Sequence, residues 1–340
     1  MLKASYISRD LKFKRPSGTS RGVLKTKKVW IITIWNENNP LVKGIGECNP
    51  LVGLSIDDVP NYTDKLIDVC EKINAYAPNL AELLIDFPSI YFGFEMALLD
   101  LKNGGKQIYF NSPIVKYKQA IKINGLIWMG NHQFMHQQIE EKLALGFSCI
   151  KLKIGAIDFK KELELIASIR DKYDEEELEL RVDANGAFTK EDALEKLNEL
   201  SKYDIHSIEQ PIKQGQLNDM AELCEKTPFD IALDEELIGH KTIEEKRVLL
   251  EKIVPQYIIL KPSLIGGFKG CMEWISVAGE LGISWWITSA LESNVGLNAI
   301  AQFTSQFYNP LPQGLGTGQI YSNNFDSNLK IEGEWLSLNV

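Results

Sequence analysis

Five stretches of this 340-residue chain end in the same way. Each is a short apolar run that closes on ionisable residues. They are Ile150-Lys151-Leu152-Lys153-Ile154-Gly155, Arg181-Val182-Asp183-Ala184-Asn185-Gly186, Ser207-Ile208-Glu209-Gln210-Pro211, Ile231-Ala232-Leu233-Asp234-Glu235 and Ile258-Ile259-Leu260-Lys261-Pro262-Ser263. From Lys153 through Asp183, Glu209 and Asp234 to Lys261 the steps are 30, 26, 25 and 27 residues. A strand, a helix and two short loops fill about that length, since a (β/α)8 barrel spreads roughly 250 residues over eight units. Five successive units would bring Lys, Asp, Glu, Asp and Lys to one mouth.

Strand side chains alternate between two faces, so Lys151 and Lys153 share one face and Ile150, Leu152 and Ile154 the other. Taken alone, the lysine pair reads as a solvated face or a protected sheet edge. The series of charged strand ends is what favours a shared site.

A hydrophobic fraction of 44% and a charged fraction of 24% are those of a globular protein. The net charge of −9 and the absence of a basic stripe argue against a nucleic-acid partner. Lys25, Lys27 and Lys28 read as a solvated strand or turn. The five cysteines are widely spaced and form no CxxC pair, which disfavours a disulfide framework or structural zinc. The first ten residues lack the apolar core of a signal peptide, and no apolar run reaches membrane-spanning length. The expectation is a reduced cytoplasmic protein.

Before the charged series the chain reads as α+β. Val29–Trp35 is a buried strand, a turn at residues 37–40 leads to a second strand over 41–47, and residues 15–22 form a polar, glycine-punctuated loop. The loop over 49–55 is apolar for a connector and is expected to pack on something, a ligand among the candidates. Helical periodicity covers 57–76, with Ile67, Cys70 and Ile73 on one face. A second helix spans 89–102, with Ser89 as N-cap and Asn103-Gly104-Gly105 as its stop. Barrel strand one is expected over 121–128, with helices over 132–145, 158–171 and 294–305. Strand seven falls over 282–289, a glycine-rich strand eight over 313–318, and a last strand over 329–338 returns to the first domain.

Asp183, Glu209 and Asp234 come from adjacent strands. Three carboxylates gathered together repel, and one would resist ionising unless a cation sat among them. A hard divalent ion with oxygen ligands, Mg²⁺, suits that set better than zinc, which prefers His and Cys. A salt-bridged barrel interior without metal is the competing reading. Lys153 and Lys261 would flank the ion. A lysine beside another cation has its pKa lowered and can act as a general base. The implied substrate is a small carboxylate with an acidic C–H beside it, and Lys151 is expected further out as a cation that depresses the pKa of Lys153.

Lys-x-Lys, Asp-x-Asn, Glu-Gln-Pro, Asp-Glu and Lys-Pro-Ser, in this order on successive strands, resemble the enolase superfamily, and within it the muconate-lactonizing subgroup. The resemblance covers nearly the whole chain. It implies an α/β architecture: a (β/α)7β-type TIM barrel over residues 118–319 and an N-terminal α+β capping domain over 1–117, with a C-terminal return over 320–340. It implies Asp183, Glu209 and Asp234 as Mg²⁺ ligands, with Mn²⁺ as a substitute. Lys153 is the implied acid/base and Lys261 the enolate-stabilising partner. Lys151, Asn185 and Glu235 match supporting positions; for Asn185 and Glu235, polar residues at the surface where loops start are an equal alternative.

The strand-seven stretch Ile287 to Asn294 holds no His, which excludes a His–Asp dyad. Gly314 to Gly318 holds no carboxylate, which disfavours a substrate bearing an ammonium. Ser289-Ala290-Leu291-Glu292-Ser293-Asn294, Gly314-Leu315-Gly316-Thr317-Gly318 and Thr19-Ser20-Arg21-Gly22 are similar to the subgroup's dehydratases of menaquinone biosynthesis. These eliminate water from 2-succinyl-6-hydroxy-2,4-cyclohexadiene-1-carboxylate through a metal-stabilised enediolate. Ser20, Arg21, Arg181, Ser263, Ser289, Glu292, Ser293 and Gly316 are the substrate-contact candidates, and for Arg181 an ion pair to a neighbouring strand is an equal alternative. An N-acylamino-acid racemase or cycloisomerase of the same subgroup, and a non-catalytic barrel that binds a ligand, stay open.

Overall fold

A computed structural model describes residues 1–19 and 22–339. It opens with an antiparallel meander of β1 (Leu2–Thr19), β2 (Gly22–Asn36) and β3 (Asn39–Cys48), in that spatial order. β-Branched and aromatic residues suit a pleated, buried surface, and Val29, Ile32 and Ile34 of the central strand are fully buried. The ladder extends further than expected. Ser17, Gly18 and Thr19 pair with Leu24, Val23 and Gly22, so most of the anticipated polar loop is strand. Because of strand alternation, Lys27 shares the inward face of Val29 and is 7% exposed, whereas Lys25 and Lys28 are exposed as expected.

Three short helices follow: α1 (Tyr62–Glu71), α2 (Ile73–Tyr76) and α3 (Leu80–Leu83). The helix anticipated over 57–76 therefore starts later and breaks at Lys72. Its inner face is Tyr62, Leu66, Val69 and Ile73, while Ile67 is 37% exposed. A step of about 100° per residue turns Ile67 away from the side that Leu66 buries.

The fourth helix, α4 (Pro88–Lys102), lies against β3 at close range. A Cβ at Gly46 would overlap the Gly93 carbonyl oxygen, and one at Gly44 the Ala97 carbonyl oxygen. Pro88 takes the first turn, where its missing N–H costs nothing, so Phe87 and not Ser89 occupies the N-cap position. Ser89 donates instead from its N and Oγ to Asp57 Oδ2, at 2.8 and 2.6 Å.

After α5 (Pro113–Lys116) the expected first barrel strand splits into β4 (Ile121–Lys122) and β5 (Gly125–Ile127). Strand and helix then alternate: α6 (His132–Ala144), β6 (Cys149–Lys153), α7 (Phe159–Arg170), β7 (Glu179–Asp183), α8 (Ala193–Leu200) and β8 (Ser207–Glu209). The series continues with α9 (Leu217–Lys226), β9 (Asp230–Leu233), α10 (Ile243–Ile253), β10 (Tyr257–Leu260), α11 (Gly267–Glu280), β11 (Ser284–Ile287) and α12 (Asn294–Thr304). β5 to β11 form one seven-stranded parallel sheet in chain order.

The eighth place is filled by two residues. Gln313 N donates to Lys122 O and Asn124 N to Gln313 O, at 2.9 and 3.0 Å. On the other side Gly314 N donates to Ile287 O and Ser289 N to Gly314 O, at 2.9 and 3.0 Å. This seam replaces the strand expected over 313–318. Glycines strand poorly, and the chain turns into a short 3₁₀ segment at Gly316–Gln319. The final stretch is a hairpin, β12 (Leu329–Glu332) and β13 (Trp335–Leu338), and β13 pairs with β4. Before it, Tyr321 bridges Phe13 and packs on Leu11 and Val29.

Ile150, Leu152, Val182, Ile208 and Leu260 face outward into the helices and build the main core. The alternate positions of the same strands are thereby turned into the barrel, and those are the charged ones. Among the described residues no helix is long and apolar enough to cross a membrane.

Candidate active site

Strand register does the first part of the assembly. Lys153 lies beside Asp183 and Asp183 beside Glu209 on β6, β7 and β8, while Asp234 and Lys261 follow the last residues of β9 and β10. All five are nearly buried, with Asp183, Glu209 and Asp234 exposed by 0, 1 and 2%. Lys153 Nζ donates to Asp183 Oδ2 at 2.5 Å and to Asn185 Oδ1 at 2.8 Å. Lys151 Nζ spans Asp183 Oδ2 and Glu209 Oε2, at 3.0 and 2.6 Å. Lys261 Nζ bonds Asp234 Oδ2 and stands 3.7 Å from Glu209 Oε1.

Lys151 is therefore not further out. It sits two residues deeper in the strand, inserted between two carboxylates. Burial opposes its charge, but Glu209 and Asp183 outweigh that and hold its pKa above the ordinary lysine value. Burial pulls Lys153 the other way; Asp183 resists, and the ammonium of Lys151 adds to the lowering. For Lys261, burial is overcome by Asp234 and Glu209, and its pKa is raised. Burial would raise Asp183, yet Lys153 and Lys151 hold it far below the carboxylate range. Asp234 is driven well up by burial and by the charge of Glu235.

The surrounding groups fix these orientations. Asn185 N donates to Asp183 Oδ1 at 3.0 Å, and Asn185 Nδ2 to Glu235 Oε1 at 3.0 Å. Gln210, not singled out in the sequence, accepts from Asp234 N and Glu236 N and donates to Ile212 O and Glu236. Asn185 and Gln210 both have positive φ, +46° and +42°. Such strained positions persist where the surroundings over-determine them, and they cluster at functional sites. The only sequence trace of Gln210 is its place in Glu209-Gln210-Pro211.

Above this floor lies a cavity of about 850 Å³. Lys153, Lys261 and Asn185 open into it, with Leu126 and Trp128 on one side and Ser289, Gly316 and Thr317 on another. Leu24, Trp30, Leu51 and Leu54 cover it from the N-terminal region, which places the apolar loop over 49–55 against the cavity. Of the expected substrate contacts, Ser289 and Gly316 line the space. Ser20 and Arg21 lie outside the described residues.

Four others are placed elsewhere. Arg181 points to the opposite end of the barrel, where Nε binds Glu179 at 2.6 Å, Nη1 binds Pro312 O at 2.9 Å and the guanidinium lies 4.2 Å from the Trp286 ring. It shares a face with Asp183 but starts two residues earlier, a rise that carries it below the cavity. Ser263, Glu292 and Ser293 are 0% exposed behind the wall. Ser263 Oγ donates to Glu292 Oε1 at 2.7 Å, and Ser293 caps α12 while bonding Glu47.

Among the described residues no trio of His, Cys, Asp or Glu stands ready-made as a metal cage. The lysines occupy the space between the acids. The donor set nevertheless fits a hard divalent cation. Among the described residues four carboxylates (Asp183, Glu209, Asp234, Glu235) face three ammoniums (Lys151, Lys153, Lys261), and buried Glu209 Oε1 has no hydrogen-bond partner. Burial first, and the charge of Glu235 second, raise the pKa of Asp234.

The model of enolase C-terminal domain-like proteins matches residues 135–337. The chain belongs to that family, in the enolase superfamily. Within the superfamily it is 46% identical to an o-succinylbenzoate synthase of Desulfotalea psychrophila, over 99% of both chains. It is 27% identical to an o-succinylbenzoate synthase of Listeria innocua, over 86% of this chain and 79% of the other. The crystal structure of MenC from Desulfotalea psychrophila superposes with a TM-score of 0.84 at 43% identity, covering 99% of each chain. A dipeptide epimerase from Enterococcus faecalis, complexed with Mg and L-Leu-L-Tyr, superposes at 0.86 with 20% identity over 99% of this chain and 97% of that one. At that identity it speaks for the fold alone. The enolase-superfamily barrel and its N-terminal cap are thus the architecture of this chain.

Proposed function

We propose that this chain is an o-succinylbenzoate synthase, a hydro-lyase that eliminates water from 2-succinyl-6-hydroxy-2,4-cyclohexadiene-1-carboxylate in cytoplasmic menaquinone biosynthesis. The observation that carries the reading is geometric: two buried lysines, Lys153 bonded to Asp183 and Lys261 to Asp234, flank the carboxylates at the floor of one cavity. The relative that is 46% identical over the full length supports the choice of reaction.

In this reading Lys153 is the general base. Its lowered pKa makes the free amine accessible, and it takes the proton from the ring carbon bearing the carboxylate. The electron pair left behind makes an enediolate. Lys261 stays charged and offers its N–H to the developing oxyanion, a positioned donor in a site of low dielectric. The C–O bond to the hydroxyl then breaks, and Lys153 returns its proton to the departing oxygen, which leaves as water. One residue on one face serves both transfers, so the elimination is syn. A divalent cation held by Asp183, Glu209 and Asp234 would supply Lewis-acid stabilisation of the substrate carboxylate. Asn185 Oδ1 accepts from Lys153 Nζ alongside Asp183 Oδ2, and the two contacts keep the amine aimed.

The test is turnover of that dienol acid by the purified protein with added Mg²⁺. No aromatic product would end the proposal. A racemase reading draws on the fact that both Lys153 and Lys261 open into the cavity. It requires solvent deuterium at the α-carbon of both enantiomers of an N-acylamino acid, whereas the dehydratase reading requires only the elimination.

A further inference from the structure

The proposed reaction gives no role to one buried cation that lines the cavity. Lys27 of β2 lines the cavity and is 7% exposed, yet among the described residues no carboxylate lies within ion-pair distance of its Nζ. Its direct partners are two backbone carbonyls, Ala290 O at 2.6 Å and Leu291 O at 3.2 Å. Glu292 and Glu47 act on it only at longer range and oppose burial, which draws its pKa down to about 8.

The same two carbonyls are taken by two further groups from outside the barrel. Asn49 Nδ2 donates to Ala290 O at 3.0 Å, and the Tyr321 hydroxyl donates to Leu291 O at 2.7 Å. Three side chains from β2, the end of β3 and the C-terminal return thus converge on one dipeptide. That dipeptide is strained: Leu291 has φ +63°, a left-handed conformation a branched side chain adopts only under constraint. On its far side, Glu47 accepts from Ser293 N and Gly296 N, both at 2.8 Å, and so holds the start of α12 as well. On its near side stands Ser289, in the cavity wall with Oγ 2.5 Å from Thr317 Oγ1.

We propose that Lys27, with Asn49 and Tyr321, is a positioning residue that holds the Ala290–Leu291 turn in its left-handed form. Through that turn it sets Ser289 in the wall that receives the substrate's remote end. The N-terminal sheet is then more than a cover, because its docking builds one wall of the binding site. Where the wall meets substrate rests on the dehydratase reading; the clamp itself does not. The role is exerted on binding, so it predicts an effect on KM with little on kcat.

The experiment uses the full-length enzyme with Mg²⁺ and four variants: Lys27→Met, Lys27→Arg, Leu291→Gly and the Lys27→Met/Leu291→Gly double. Lys27→Met should raise KM by about tenfold with kcat held within about twofold, the size of effect expected when a strained backbone loses its restraint. Lys27→Arg, which keeps charge and donors, should recover most of the loss. Glycine is at ease at positive φ, so in the Leu291→Gly background the same Lys27→Met change should cost less than about threefold. Full additivity in the double variant, or equal losses in kcat and KM, overturns the proposal.

A second measurement is independent of turnover. Amide hydrogen exchange over residues 289–297 should accelerate by about tenfold in Lys27→Met, with the β2 segment 29–36 unchanged. Unchanged exchange over 289–297 overturns the clamp even if activity falls. If Lys27→Met does not fold, Tyr321→Phe deletes a single donor and should shift the same peptide in the same direction; no shift overturns it equally. If the unmodified enzyme fails to turn over the dienol acid, the functional reading fails and the exchange measurement still decides the clamp.

Discussion

Glu162 of α7 ties down the loop that follows Lys153, and its environment makes that tie dependent on pH. Its Oε1 accepts from Gly155 N at 2.7 Å and Ile157 N at 3.5 Å, while its buried Oε2 has no hydrogen-bond partner among the described residues. Burial raises its pKa from 4.5 to about 7, against the backbone N–H groups that favour the charge. Each tenfold change in proton affinity is about 1.4 kcal/mol, so a rise of that size is worth about 3 kcal/mol. The sign follows from proton binding. Between pH 4.5 and 7 the folded state holds a proton that the unfolded chain has released. The contribution of Glu162 is therefore fully present below pH 4.5 and is lost as pH rises through about 7. Glu162→Gln keeps an acceptor for Gly155 and cannot ionise. The measurement is chemical denaturation of both proteins from pH 4.5 to 8. Other raised carboxylates, Glu95 and Asp57 among them, contribute equally to both proteins and cancel in the difference. Across that range the variant should gain up to about 3 kcal/mol on the wild type. Parallel stability curves, with a difference that does not change with pH, would refute the reasoning.

Further expectations concern the site and the packing that carries it. Lys153→Ala should lower kcat by about 10² to 10⁴ with unchanged far-ultraviolet dichroism, the range of positioned acid–base catalysis; activity within tenfold of wild type would remove Lys153 from the role of base. Chelation should abolish turnover and Mg²⁺ restore it, and Mg²⁺ at a hundred times its dissociation constant should stabilise the fold by about 2.7 kcal/mol. Glu209→Gln and Asp234→Asn should each weaken that thermal response, and a response left intact by both would place the cation elsewhere. Gly46→Ala should cost about 1–3 kcal/mol or more in unfolding free energy by denaturant titration, because the new methyl would press on the Gly93 carbonyl and the Ala97 backbone nitrogen of α4.

The acids and lysines were legible because the barrel repeats. A period near 27 residues sets every strand end at the same height, so a residue type recurring at that period reveals the mouth without any knowledge of side-chain geometry. What the period cannot reveal is depth within a strand. Arg181 and Asp183 share a face, and only the assembled barrel shows that two residues of rise separate the cavity floor from its opposite end. Ser263, Glu292 and Ser293 carry polar labels in the right loops, yet Glu47 and α12 draw them behind the wall. Lys27 was hidden for the opposite reason. Its two basic neighbours make the run look solvated, and the evidence against that was the register with Val29. The strand expected over 313–318 shrank because glycine satisfies the sheet's edge bonds without sustaining a strand.

That last feature has a mechanical side. The ring is fastened by two residues, Gln313 and Gly314, whereas every other junction is a strand pair. The fastening sits across the ring from β8 and β9, whose ends bear Glu209 and Asp234. The carboxylates are therefore seated on fully paired strands, away from the two-residue clasp, and the thinnest joint of the ring carries none of its charge.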